Sequence, residues 1–165
     1  MRFFYPLSLT IFISLSLYAP QKSFSSNVEN LIDELESKQA QVDTDGDGRV
    51  DLWRAFDKNG KILTLNSDDD GDGKPDLWTV FSPNKIVTLR DTESNGNRDW
   101  RKTEILNNNG QMIQQTIETK KKESWQTEEE WELVENPKNP KKPMYRVKRF
   151  VAGKVEIDYE PANLK

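Results

Sequence analysis

Short runs of alternating apolar and polar positions recur through the middle of the chain. "LWRAF" (Leu52–Phe56) and "KILTL" (Lys61–Leu65) are rich in strand formers and flank "DKNG", a hairpin-turn sequence. In the first run Trp53 and Ala55 point to one face, and Leu52 and Phe56 to the other. Both faces carry apolar groups, so the sheet is expected to be twisted and partly covered on each side. Gly60 is expected to take the left-handed position that a turn with a bulge needs, and Gly110 and Gly153 are expected in equivalent places.

The pattern repeats with a period of roughly 25 residues, marked by Trp53, Trp78, Trp100 and Trp125. The first unit reads "DTDGDGRVDLWRAFDKNGKILTLN" and the second "DDDGDGKPDLWTVFSPNKIVTLR". Each runs acidic loop, Leu-Trp-x-x-Phe, turn, apolar stretch. The third, "DTESNGNRDWRKTEILNNNGQMIQQT", lacks the Leu before Trp100. A fourth keeps Trp125 without loop ligands, and a fifth survives in "YRVKRFVAGKVEIDYE", where Phe150 echoes Phe56. The Trp series reads as core packing. A mainly β fold follows: a meander of β-hairpin repeats joined by acidic loops, with the "NG" turns along one edge and the loops in a row along the other.

Before the repeats the period changes. Residues 26–42 read as a helix, with Val28, Leu31, Ile32 and Leu35 on one stripe and Ser26 or Asn27 as the cap. Residues 1–25 read as an export signal: Arg2 is the positive start, Phe3 to Ala19 the apolar stretch, and Ser23 and Ser25 the small residues before a cut at Ser26. The mature chain is expected to be secreted or periplasmic and not an integral membrane protein. Residues 43–118 hold the loop-bearing repeats, and residues 119–165 the degenerate hairpins. There "ENPKNPKKP" (135–143) reads as an extended Pro/Lys loop, and "KKK" (120–122) and "EEE" (128–130) pair across a hairpin or face water.

Composition narrows the chemistry. The 165 residues contain neither Cys nor His. Disulfides are excluded, although small exported domains often rely on them. The commonest catalytic base and transition-metal ligand is missing too. With 24 Lys+Arg against 28 Asp+Glu, the net charge of −4 does not suit a nucleic-acid binder. Only 34% of residues are hydrophobic, a thin supply for a core, and a bound metal would add the missing cross-links.

The acidic loops supply candidate ligands. Loop 1 places carboxylates at positions 1, 3, 5 and 9: Asp43, Asp45, Asp47 and Asp51, with the carbonyl of Arg49 at position 7. Loop 2 repeats this with Asp68, Asp70, Asp72, Asp76 and the Lys74 carbonyl. Loop 3 is weaker, with Asp91, Glu93, Asn95, Asn97 and Asp99. Gly48, Gly73 and Gly96 at position 6 allow a sharp turn. An all-oxygen set at this spacing suits Ca²⁺, which takes about six to eight oxygen ligands at flexible distances. Magnesium demands a stricter octahedron, and zinc prefers His or Cys.

These loops resemble the calcium loops of thrombospondin type 3 repeats and, more distantly, those of EF-hands and dockerins. "DTDGDGRVD" and "DDDGDGKPD" match the D-x-D-x-D-G-x-x-D pattern at every ligand position. The resemblance covers residues 43–99 and implies calcium binding in an exported, structural or adhesive setting. It departs from EF-hands at position 12, where Arg54 and Thr79 replace the bidentate acid, and from thrombospondin repeats in lacking Cys.

Two readings of function follow. The first is an exported calcium-binding repeat protein whose ions rigidify a hairpin array that meets a protein or an anionic envelope polymer. The second is a hairpin-repeat interaction module, resembling MORN-like or antitoxin-like repeats, in which metal is incidental. An enzyme is not expected: no Ser/His/Asp, Cys/His or phosphate-loop arrangement is present, and the acidic pairs already belong to the loops.

Overall fold

The computed structural model describes residues 22–36 and 38–162, and the expected export signal lies almost wholly outside them. One helix, α1 (Lys22–Glu36), precedes ten strands: β1 (Ala40–Val42), β2 (Leu52–Phe56), β3 (Ile62–Ser67), β4 (Leu77–Ser82), β5 (Lys85–Arg90), β6 (Trp100–Leu106), β7 (Met112–Lys121), β8 (Ser124–Val134), β9 (Met144–Val151) and β10 (Lys154–Pro161). They form one antiparallel sheet in sequential order, β1 to β10. The expected mainly β hairpin meander is what the chain adopts.

The helix differs from expectation at both ends. It begins at Lys22, so Ser26 and Asn27 lie within it rather than capping it. It stops at Glu36, and Ala40–Val42 pair with Leu52–Arg54 instead of continuing the helix. Ala and Gln favour a helix locally, but pairing at the sheet edge overrides that preference. Val28 and Ile32 are buried against Trp78, Val80, Val87 and Leu89, with Trp125 packed beside them. Leu31, expected on the same stripe, is exposed. We call the face that α1 covers the helix side.

Cross-strand register fixes which side each residue occupies, because directly opposed residues share a face. Trp53 lies opposite Asn66, Asn66 opposite Trp78, and Trp78 opposite Leu89, all on the helix side. Trp100 lies opposite Arg90 and so faces the other way. The Leu missing before Trp100 moves it one position closer to its loop, and a single step flips a strand residue to the opposite face. Arg101 takes the vacated place and stacks on Trp125, its guanidinium 4.4 Å from the ring centroid. Trp100 is therefore not part of the helix-side core that the Trp series suggested.

The turns at Asp57 and Asn107 are built alike. Gly60 N–H donates to the Asp57 carbonyl and Gly110 N–H to the Asn107 carbonyl, both at 3.0 Å, and both glycines have positive φ. Asp57 Oδ1 accepts from Asn59 and Lys61, and Asn107 Oδ1 from Asn109 and Gln111. Gly153 is not equivalent. It belongs to the two-residue turn between β9 and β10, which falls on the acidic-loop edge because the tight turn between Lys121 and Ser124 comes first. The 135–143 segment is not extended: Asn139 N–H bonds back to Asn136 O and Lys142 N–H to Asn139 O, two consecutive turns.

Candidate metal centre

Loops 1, 2 and 3 (residues 43–51, 68–76 and 91–99) connect β1–β2, β3–β4 and β5–β6, so they stand side by side on one edge of the sheet. Backbone bonds carry the ladder through their bases. Asp51, Asp76 and Asp99 each donate an N–H to the residue before the loop: Val42, Ser67 and Arg90. Their carbonyls accept in turn from Asp68 and Asp91, the first residues of the next loops, and from Lys120 near the end of β7. Each ninth-position carboxylate therefore starts from a hydrogen-bonded, fixed backbone.

Inside each loop the first carboxylate winds the chain around itself. Asp43 accepts from Gly46 N–H (2.6 Å) and Gly48 N–H (2.9 Å), and Asp68 accepts from Gly71 and Gly73 (both 2.7 Å). Gly46 and Gly71, at position 4, have φ of 84° and 79°, a conformation that costs a side chain about 1–2 kcal/mol. The "DGDG" doublet carries this signal, which a position-6 reading overlooks. Asp51 Oδ2 accepts from the N–H and hydroxyl of Thr44, and Asp76 Oδ2 from the N–H groups of Asp69 and Asp70.

The outcome is two equivalent carboxylate groups. One oxygen each from Asp43, Asp45 and Asp51 lie within 4.8 Å of one another, and so do oxygens from Asp68, Asp70 and Asp76. Each group could hold a metal ion, and every donor in it is a hard oxygen. Hydrogen bonding from the Thr44 hydroxyl and N–H holds the Asp51 carboxyl below the usual carboxylate range. It stays ionised to lower pH than a free aspartate, as a cation ligand must.

The expected position-5 ligands lie outside these groups. Asp47 accepts from Arg49 N–H, and Asp72 from both the N–H and the ammonium of Lys74 (2.8 and 3.1 Å). That bond, with the Lys74 charge, lowers the Asp72 pKa and raises that of Lys74. The Arg49 side chain crosses to the Gly71 carbonyl of loop 2. Asp69 turns away to Ser67 and Arg90.

Loop 3 keeps the winding without gathering its acids. Asp91, buried, accepts from Glu93 and Gly96, Asn95 Oδ1 accepts from Asn97 N–H, and Thr92 occupies Asp99. Glu93 accepts from the Asn95 side chain, and Ser94, at φ 50°, donates its hydroxyl to Asp70 of loop 2 (2.9 Å). Arg98 reaches Asp33 of α1 at 3.0 Å and lies over the Trp78 ring, 4.6 Å from its centroid. Loop 3 thus clamps helix to sheet, a role for Arg98 that its place in a ligand motif did not suggest.

Compared with known proteins, the chain matches no family model and no curated protein. Among the described residues no helix is long and apolar enough to cross a membrane.

Proposed function

We propose that this is an exported calcium-binding protein in which two ions, one in loop 1 and one in loop 2, rigidify the edge of a hairpin sheet. The observation that carries this reading is the duplication of one carboxylate group, Asp43/Asp45/Asp51 and Asp68/Asp70/Asp76, on adjacent loops that are wound alike by their first carboxylate. Calcium fits the donor set better than magnesium, because the remaining coordination would come from backbone carbonyls and water at variable distances. The role is structural and non-catalytic. The rigid loop edge would face a protein or an anionic envelope polymer.

Calorimetric titration of the purified protein tests this. Two sites with dissociation constants of roughly 10⁻⁴ to 10⁻³ M are expected, the range of extracellular modules. A third, weaker event at loop 3 is compatible. Absence of heat up to about 10 mM calcium contradicts the reading. A second reading, the hairpin module indifferent to metal, draws on the loops' full set of internal hydrogen bonds, and an identical thermal transition in chelator and in calcium would favour it.

A further inference from the structure

Among the described residues the sheet has two free edges, and they are unlike. β1 offers three residues, whereas β10 is eight residues long and exposed over nearly its whole length. A long, exposed, apolar edge strand is a template for pairing with another chain. Ala152 and Gly153, both at positive φ (51° and 77°), form the two-residue turn that joins β9 to β10. In such a hairpin the flanking residues, Val151 and Lys154, make the closing hydrogen-bonded pair. Bonding alternates from there, so the even-numbered residues of β10 bond to β9. The N–H and C=O groups of Val155, Ile157 and Tyr159 therefore point off the sheet, and the Tyr159 N–H is held by the Asp158 carboxylate at 2.8 Å, a bond that strand pairing replaces. Pro161, which lacks an N–H, ends the row.

The same three side chains project to the helix side, each more than half exposed, beside Phe150 at 38%. α1 does not shelter them, because its buried residues pack on the cluster formed by β4 and β5. The other side of β10 presents Glu156, Asp158 and Glu160.

The geometry points to a second copy of this chain as the occupant of the edge, with two β10 strands pairing antiparallel about a two-fold axis at Ile157. In this register Ile157 faces its own counterpart and Val155 faces the second copy's Tyr159. It is the one register that matches all three outward residues of each copy with outward residues of the other. A slip of two residues either way sets Val155 or Tyr159 against the turn or against Pro161. Apolar side chains then meet apolar ones across the seam, the pairing that most favours adjacent strands. On the opposite face Lys154 meets the second copy's Glu160, an opposite-charge match, and Glu156 meets Asp158. That like-charge contact is offset by Arg149, which lies 3.7 Å from Asp158 and 2.9 Å from Glu160. A two-fold contact closes on itself, and the sheet continues across it without an open edge in the middle.

Sedimentation and light scattering over a concentration series test the dimer. The wild-type mass should rise toward twice that of the chain, in chelator as in calcium, so the outcome does not depend on metal binding. Ile157→Pro removes only an outward N–H and leaves the β9–β10 bonds in place. It should weaken association at least tenfold, and Ile157→Lys should do the same if the Pro variant fails to fold. The chain has no Cys. Under mild oxidation Ile157→Cys should therefore cross-link to itself across the axis, and Lys154→Cys, which faces Glu160, should not. A monomer at every soluble concentration overturns the proposal. So does a dimer that survives both Ile157 substitutions, or equal cross-linking of the two Cys variants.

Discussion

The two halves of the sheet are held by different physics. From β2 to β5 the strands are five or six residues long and α1 covers them, and among the described residues all but one of the buried hydrophobic side chains belong to this half or to the helix. From β7 to β10 the strands lengthen to eight to eleven residues, and Val147 is the single buried hydrophobic residue. There the side chains of neighbouring strands are matched by ion pairs instead. Arg149 meets Glu129, Asp158 and Glu160, Lys148 meets Glu130, and Arg146 meets Glu132. Trp131 and Tyr145 add an edge-to-face contact at 6.1 Å, and the Tyr145 hydroxyl donates to the Met112 carbonyl. The half with the apolar core also carries the three acidic loops, and the half without them has tight or Pro-rich connections. Concentrated negative charge is placed where packing is strongest. Exposed ion pairs contribute little each, so the second half depends on backbone pairing and on its continuity with the first.

The largest effect should follow from damage to the apolar core. Ile32, fully buried in α1, belongs with Val28 to the cluster that includes Trp78, Val80, Val87 and Leu89. Ile32→Ala should cost about 2–5 kcal/mol in urea unfolding. It should loosen loop 3 as well, because Asp33 beside it holds Arg98. An equal loss on Arg146→Ala, which removes the half-buried partner of Glu132 in the ion-pair ladder, would erase the distinction between the halves.

Next come substitutions within loop 2. Asp76→Asn keeps the shape but removes a charge from the carboxylate group, and calcium affinity should fall at least tenfold. Asp72→Asn should cost less, because Asp72 is engaged with Lys74 rather than gathered with the others. Asp69→Ala, outside the group, should leave affinity nearly unchanged. Titration calorimetry ranks the three, and an Asp69 effect as large as that of Asp76 would refute the assignment of ligands.

The smallest effect is a pH dependence on the turn edge. The N–H groups of Lys61 and Asn59 lower the Asp57 pKa. A depressed carboxylate stabilises the fold above its unfolded value, near 4, and that contribution is lost as pH falls through the folded value. The stability difference between wild type and Asp57→Asn should therefore shrink as pH drops below about 4. A difference that grows on acidification would reverse the sign.

Local chemistry made much of this legible. "LWRAF", "KILTL" and the Asp57–Gly60 turn announce hairpins, and repetition of the acidic loops places them on one edge. What stayed hidden depends on counting or on competition. The face of Trp100 turns on one missing residue. The edge on which Gly153 lies turns on the turn after Lys121, where Lys122 takes φ 59° with no glycine to mark it. Asp47 and Asp72 fit a ligand pattern by spacing, yet both lie outside the gathered carboxylates, and the Lys74 ammonium engages Asp72. The end of α1 was obscured because Ala40 and Gln41 favour helix until an edge strand is there to pair with.

Hydrogen exchange, resolved along the chain and compared between chelator and about 5 mM calcium, tests the central claim most directly. About 5 mM calcium is roughly five to fifty times the expected dissociation constants, so each ion adds about 1–2 kcal/mol, and only to states in which the loop is folded. Calcium should slow exchange across residues 43–76 by roughly five- to fiftyfold, with a smaller effect in loop 3 through the Ser94–Asp70 bond, and leave β8 to β10 nearly unchanged. Identical exchange in the two conditions, or protection spread evenly over both halves, would contradict an account in which calcium braces the acidic edge.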